Sequence, residues 1–166
     1  MGVLGTFDFP VTTEDFIFGK VYNSNVPRFR LYCPIQVRYG DLDAQGHVNN
    51  ARYLSYTEQA RLRYLVELGL WDGNSFLDLG LIVADVHIRY TAPITLSQGI
   101  LIGVCVTRLG NKSLRFEYQI EDEDTGQVMA SCETVMVTYD YHSHSSIPIP
   151  PAWREKISAF EGLATE

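Results

Sequence analysis

Asp41, Asp43, Gly46, His47, Asn49 and Asn50 fall inside the short stretch 39–53, YGDLDAQGHVNNARY, between a strand-like run and a long helical pattern. An acid just ahead of a helix start faces the positive end of the peptide dipoles, where the first N–H groups have no intrahelical acceptors. A base and an oxyanion donor can therefore meet on one carbonyl group there. Asp43 suits that chemistry either as a base that activates water or as a carboxylate that attacks the carbonyl directly. By residue type alone it reads first as an acid capping a turn, a place where Asp is common. Asp41 reads as structural, accepting backbone amides of the same loop.

The elements that must position this loop are legible on both sides of it. Residues 30–39 alternate, with Leu31, Cys33, Ile35, Val37 and Tyr39 on one face, which predicts a strand. Asn49 or Asn50 is suited to cap a helix start. Beyond it Tyr53, Leu54, Thr57, Ala60, Arg61, Tyr64, Leu65 and Leu68 recur at three- and four-residue spacing, and Gly69 makes a stop. That helix would be about 30 Å long. Four strand signals follow, at 82–90, 100–107, 112–121 and 128–139, with nothing helical between them. In the first, Ile82, Ala84, Val86, Ile88 and Tyr90 share a face. The links Gly110-Asn111 and Asp124-Thr125-Gly126 are hairpin chemistry, so a four-strand antiparallel meander is expected. Pro151 suits the first position of a short terminal helix carrying Trp153, Ile157 and Phe160.

A chain of 166 residues, 46% hydrophobic, fits one compact domain with one core. No run approaches the roughly 18 apolar residues that span a bilayer, and no secretory leader is expected. The N-terminal Met1-Gly2 and Thr6 match the loose myristoylation pattern, which is short enough to arise by chance. The net charge of −7 argues against a nucleic-acid surface. Cys33, Cys105 and Cys132 are far apart without metal spacing, so a reducing, cytoplasmic setting is expected. His142 and His144 lack the Cys, Asp or Glu companions of a metal set and read as part of a flexible tail.

Several fragments in the right order carry a resemblance. The pattern D-x-D-x-x-G-H-V-N-N-x-x-Y over 41–53, then Glu58-x-x-Arg61, resembles the Asp-containing branch of the hot-dog-fold thioesterases, the group of 4-hydroxybenzoyl-CoA thioesterase. Arg89-Tyr90-Thr91-Ala92-Pro93 and Leu109-Gly110-Asn111-Lys112-Ser113 agree with it. The likeness covers about 30–140. It implies an α+β hot-dog fold, a curved antiparallel sheet of about five to six strands around one long helix, here with a short C-terminal helix. Residues 1–29 are then an extension packed on the domain, and 141–166 a tail with that short helix.

By the same resemblance Asp43 is the catalytic carboxylate, and the backbone N–H of Asn50 polarises the thioester carbonyl. His47 either holds water or orients Asp43, or simply bonds the loop backbone. Gly46 lets the chain approach the ligand, or only makes a turn. Asn49 caps the helix or touches substrate, Tyr53 lines the pocket, and Glu58 is a pocket residue rather than the base. Its alternative is an ion pair with Arg61 or Arg52. Lys112 and Ser113 match positions near the coenzyme A arm, with Arg89, Arg108 and Arg115 nearby in sequence. Tyr53, Tyr56 and Tyr64 permit aromatic or medium-chain acyl groups.

The implied function is acyl-CoA hydrolysis to a free acid and coenzyme A, with no metal or redox cofactor. A homodimer is expected, with a homotetramer as a larger assembly. Acyl carrier protein is a less natural carrier, because it is acidic like this chain. The rivals are an enoyl-thioester hydratase and a non-catalytic acyl-CoA-binding protein. The hydratase signature G-D-x-N-P-x-H is only partly present in Gly40-Asp41 to His47.

Overall fold

The computed structural model describes residues 29–164, so the aromatic extension expected over 1–29 lies outside the described residues, Phe29 excepted. The chain order is β1 (Leu31–Gln36), a 3-10 turn (Tyr39–Asp41), α1 (Asn50–Glu67), a second 3-10 turn (Phe76–Leu79), β2 (Leu81–Tyr90), β3 (Gly99–Leu109), β4 (Ser113–Asp122), β5 (Val128–Asp140), β6 (Ser145–Ser146) and α2 (Pro151–Glu161). β1, β3, β4, β5 and β2 form one antiparallel sheet in that order, and β6 pairs with β5. The expected α+β hot-dog architecture is therefore present, with α1 against the concave face of a curved sheet. Among the described residues no helix is long and apolar enough to cross a membrane.

Alternation explains the packing. On β4, Leu114, Phe116, Tyr118 and Ile120 are buried while Arg115, Glu117 and Gln119 between them are half-buried on the convex side. Ile100, Ile102 and Val104 of β3 continue that apolar surface, and Tyr56, Ala60, Tyr64 and Leu65 of α1 close it from above. Each large side chain fully buried this way contributes roughly 1.5–3 kcal/mol. Tyr64 meets Phe116 edge-on at 5.5 Å between ring centres.

Three details differ from the sequence reading. The strand at 30–39 ends at Gln36, because Asp41 turns the backbone at Arg38, and Tyr39 is 83% exposed instead of sharing the inner face. The meander holds only for β3, β4 and β5. β2 pairs with β5 at the far edge, since β1 already occupies the free side of β3. Within β2 the register shifts between Val83 and Asp85, so Ala84 is a bulge. The extra residue inverts the alternation. Val83 pairs with Met136 and joins Val86, Ile88 and Tyr90 on the concave side, while Ile82 pairs with Val137 and faces the convex side.

The segment after β5, expected as a flexible tail, folds back on the sheet. Ile147 N–H donates to Thr138 (2.9 Å), Ile149 N–H to Asn111 (2.9 Å), and Ile149 is buried. It delivers α2, with Pro151 at its first turn, to the end of β3 and of α1. There Glu161 accepts hydrogen bonds from the Tyr64 hydroxyl (2.8 Å) and the Val106 N–H (2.9 Å). Burial pushes the Glu161 carboxyl above its ordinary value, outweighing the bonds from Val106 and Tyr64 that favour the anion.

A carboxyl raised on folding binds more protons in the folded state between its ordinary and raised values, so stability falls as pH rises through that window. Glu161→Gln, which keeps an acceptor, should flatten that part of the profile of melting temperature against pH. Glu161→Ala should cost about 1–3 kcal/mol by chemical denaturation, because it strands two donors.

Candidate active site

The loop ahead of α1 is built around Asp41, which is 2% exposed. Its carboxylate accepts from the Arg38 N–H (3.0 Å), from the Arg38 guanidinium (3.3 Å to each oxygen) and from the Tyr56 hydroxyl (2.9 Å). Arg52 of α1 approaches at 3.8 Å. Burial alone would raise this acid, but the Arg38 backbone and side-chain bonds and the Tyr56 hydroxyl outweigh it and hold the carboxyl below its ordinary value. Asp41 thus joins the end of β1 to the first turns of α1. The structural role expected for it is present, and reaches beyond its own loop.

Asp43 follows on a tight hairpin closed by the Leu42–Val48 bridge. Its N–H donates to His47 O (2.8 Å), and its Oδ1 accepts from Gln45 N–H (2.9 Å) and His47 N–H (3.4 Å). Gly46 adopts φ +78°, a conformation that favours glycine and lets the chain reverse toward the helix. No other group lies close to where a Cβ at Gly46 would stand, so the backbone angle is its constraint. Asp43 is half-buried and His47 is exposed. His47 bonds Asp43 through its own backbone N–H and carbonyl.

Asn49 is the helix cap, its side chain accepting from the Ala51 N–H at 3.0 Å. The neighbouring amides are all engaged: Asn49 N–H with Asp41 O, Ala51 N–H with the cap, Arg52 N–H with Asn49 O. Among the described residues the N–H of Asn50 has no acceptor. It stands at the positive end of α1, where a developing oxyanion is stabilised. The carbonyl of Asn50 accepts from the Tyr90 hydroxyl at 3.0 Å, and the Tyr90 ring meets Tyr53 edge-on at 5.0 Å. The Val48 N–H donates to Ile94 at 2.8 Å, so the segment after β2 braces the same loop. Tyr90 and Ile94 went unread as site residues, although the Arg89-to-Pro93 fragment pointed at that segment.

The remaining expected residues divide. Tyr53 is buried beside the loop. Tyr56 and Tyr64 are core residues whose hydroxyls serve Asp41 and Glu161. Glu58 is exposed and ion-paired with the buried Arg61 at 3.4 Å, and Arg61 also donates to the Tyr118 hydroxyl at 3.3 Å. Lys112 donates to Ser146 O (2.6 Å) and Oγ (3.1 Å), pinning the folded-back segment. Ser113 pairs with Val137 of β5 and Arg89 with Ser131, six positions apart. That is about 20 Å along the strand, so one chain does not bring Arg89 to Lys112 and Ser113.

A half-buried acid and an unoccupied amide at a helix start, held on a half-barrel around one helix, can now be set beside known proteins. The family model described as "Thioesterase-like superfamily" matches residues 37–157. The chain belongs to that superfamily. Long-chain acyl-CoA thioesterase FadM of Escherichia coli K12 is 31% identical over 123 residues, 74% of this chain and 93% of FadM. A 1,4-dihydroxy-2-naphthoyl-CoA hydrolase of Synechococcus elongatus is 26% identical over 117 residues, 69% of this chain and 85% of that protein. A Thermus thermophilus thioesterase, solved with coenzyme A and Zn, superposes with a TM-score of 0.73 at 34% identity, covering 82% of this chain and 98% of that one. The relatives bearing these names are, by name, thioester hydrolases.

Because Asp41 is held below the ordinary carboxylate value, its contribution is present above that value and lost as pH falls through the lowered one. Asp41→Asn should destabilise the fold by about 2–3 kcal/mol at neutral pH. Urea melts at pH 7 and at acid pH check this, with the deficit shrinking in acid.

Proposed function

We propose that this chain is an acyl-CoA thioesterase that adds water across an acyl-CoA thioester to give a carboxylic acid and free coenzyme A. The observation carrying the reading is the pairing of Asp43 with the unengaged Asn50 N–H on one rigid loop-to-helix junction. In this scheme the Asn50 N–H, backed by the dipole of α1, polarises the thioester carbonyl and holds the oxyanion. Asp43 either takes a proton from an attacking water or attacks to form an anhydride that water then opens. Chain-borne groups suffice for both routes. The names of the relatives, which are hydrolases of acyl-CoA esters, support this substrate class.

The working unit in this proposal is a homodimer joined at β2. That strand is an edge with Val83 and Val86 exposed on its concave side, beyond the Tyr90 that meets the start of α1. A second copy paired antiparallel about the middle of β2 would set Arg89 of one protomer opposite Ile82 of the other. Ile82 pairs with Val137, which pairs with Ser113. Arg89 would then approach Ser113 and Lys112 across the twofold, which reconciles three residues that a single chain keeps apart. The same assembly would close the gap between α1 and β2 into an acyl channel. A cytoplasmic, reducing setting accords with three cysteines that are free among the described residues.

Asp43→Asn should lower kcat for acyl-CoA hydrolysis by about 10²–10⁴-fold while leaving substrate binding intact, as followed by thiol release. Equal turnover by the variant would remove Asp43 from this role, and hydration of an enoyl-CoA without thiol release would favour the hydratase. Val86→Asp should convert the dimer to monomer in light scattering and abolish turnover; an active monomer would refute the shared channel.

A further inference from the structure

Resting on the acyl-CoA reading, we infer that Arg61 of α1 selects the acyl group, by donating to an uncharged oxygen, a hydroxyl or ketone, carried on a medium-length chain. Among the described residues Arg61 is the one cation in the buried interior. Its side chain is 7% exposed, against 61% for its partner Glu58. A cation withdrawn from water is costly unless its N–H groups are well matched. Here the match is loose. Glu58 accepts at 3.4 Å and the Tyr118 hydroxyl at 3.3 Å, both longer than the roughly 2.8 Å of a good charge-assisted bond. Among the described residues the Arg61 Nε has no acceptor, and no side-chain nitrogen or oxygen sealed from solvent lacks a partner. The Nε–H therefore opens onto accessible space.

The guanidinium stands beside the channel proposed between α1 and β2. α1 lies over β1 and β3, and Arg61 reaches from it toward the other half of the sheet. Tyr118 pairs with Cys132 of β5, and Cys132 with Ile88 of β2. The Tyr118 hydroxyl also meets Thr134 Oγ1 at 3.2 Å. Cys132 lies within the field of Arg61: burial pushes its thiol up to about 11, and the guanidinium pulls it the other way. The next concave residue of β2 is Tyr90, whose hydroxyl marks the helix start at Asn50 O, about 7 Å along the strand from Ile88. Along α1 the rise from Asn50 to Arg61 is about 16 Å, and helical side chains lean back toward the N-terminus. An oxygen at Arg61 then sits about 6 to 13 bonds from a carbonyl at Asn50, at roughly 1.2 Å per bond of extended chain. Val86 and Ile88 offer the intervening methylenes an apolar wall.

The charge balance names the kind of oxygen. A guanidinium has only donors, so its guest must accept. Glu58 already offsets the positive charge, and an acyl carboxylate would add an unbalanced negative one. A hydroxyl or ketone adds none.

The test uses coenzyme A thioesters of several chain lengths in that range, each ending in a methyl, a hydroxyl or a carboxylate. The proteins are wild type, Arg61→Met and Glu58→Gln. At the best length, kcat/KM of the wild type should favour the hydroxyl over the methyl by about 10- to 100-fold. Arg61→Met should bring that ratio close to one. Glu58→Gln, at an exposed position, leaves the guanidinium unbalanced and should move the preference toward the carboxylate. An ion pair that only stabilises the fold would shift none of these rankings. Should Arg61→Met fail to fold, the wild-type ranking and Glu58→Gln decide the matter. Calorimetry with the corresponding S-alkyl and S-hydroxyalkyl thioethers of coenzyme A should give the same order of Kd without turnover. That order in the absence of thiol release from any thioester would overturn the hydrolase reading alone. Equal handling of methyl and hydroxyl by the wild type at every length, or a ranking unmoved in both variants, would overturn this inference.

Discussion

A carboxylate withdrawn almost completely from water needs compensation from every side, and Asp41 finds it in groups from two different elements. Arg38 lies two residues past the end of β1, Tyr56 and Arg52 belong to α1, and all three converge on one acid. The strand must stop and turn where it does because Arg38 donates its backbone N–H forward to the Asp41 carboxylate. The helix must enter at a fixed angle because the Tyr56 hydroxyl is used up. Asp43, two residues on, inherits its position from this arrangement and spends its own oxygens only on local amides. The acid with the strongest ties is thus the scaffold, and the acid with weaker ties is the one the proposed reaction uses. A first inspection of two closely spaced aspartates has no way to weigh those ties, although the second was favoured on resemblance.

The fold was legible wherever a side chain's environment follows from its immediate neighbours. Alternation on β4 and the three- and four-residue spacing on α1 encode which face is buried, and the glycine and asparagine turns encode which strands are consecutive hairpins. What escaped depends on partners distant in sequence. Nothing in residues 82–90 says that their neighbour is β5, because pairing is decided by which edge remains after β1 has docked. The bulge at Ala84 is equally silent in the composition of the strand, yet it reverses the facing of Ile82 and Val83. The bonds of the Tyr56 and Tyr64 hydroxyls could not be read, because their partners, Asp41 and Glu161, lie 15 and 97 residues away.

The candidate site shows the same division. Asn49 as a cap and Gly46 as a reversal could be read from residue type, since each answers to a local backbone demand. The dispersal of Arg89 from Lys112 and Ser113 could not, since it follows from antiparallel register over the width of three strands. Cations near in sequence proved far in space, and Arg108 and Arg115 proved to be direct neighbours.

The bond between Asp41 and Tyr56 has a mechanical consequence. Tyr56 is one helical turn from Ala60, a residue with no exposure at all, packed where α1 lies over the sheet. Close-packed interiors transmit displacement instead of absorbing it. A bulkier residue at Ala60 would lever the helix off its seat, and the rigid tether would drag the entry loop with it. Geometry at the loop is therefore set partly by the volume of a methyl group in the interior, and drift in this protein's activity can begin with substitutions that never touch a substrate.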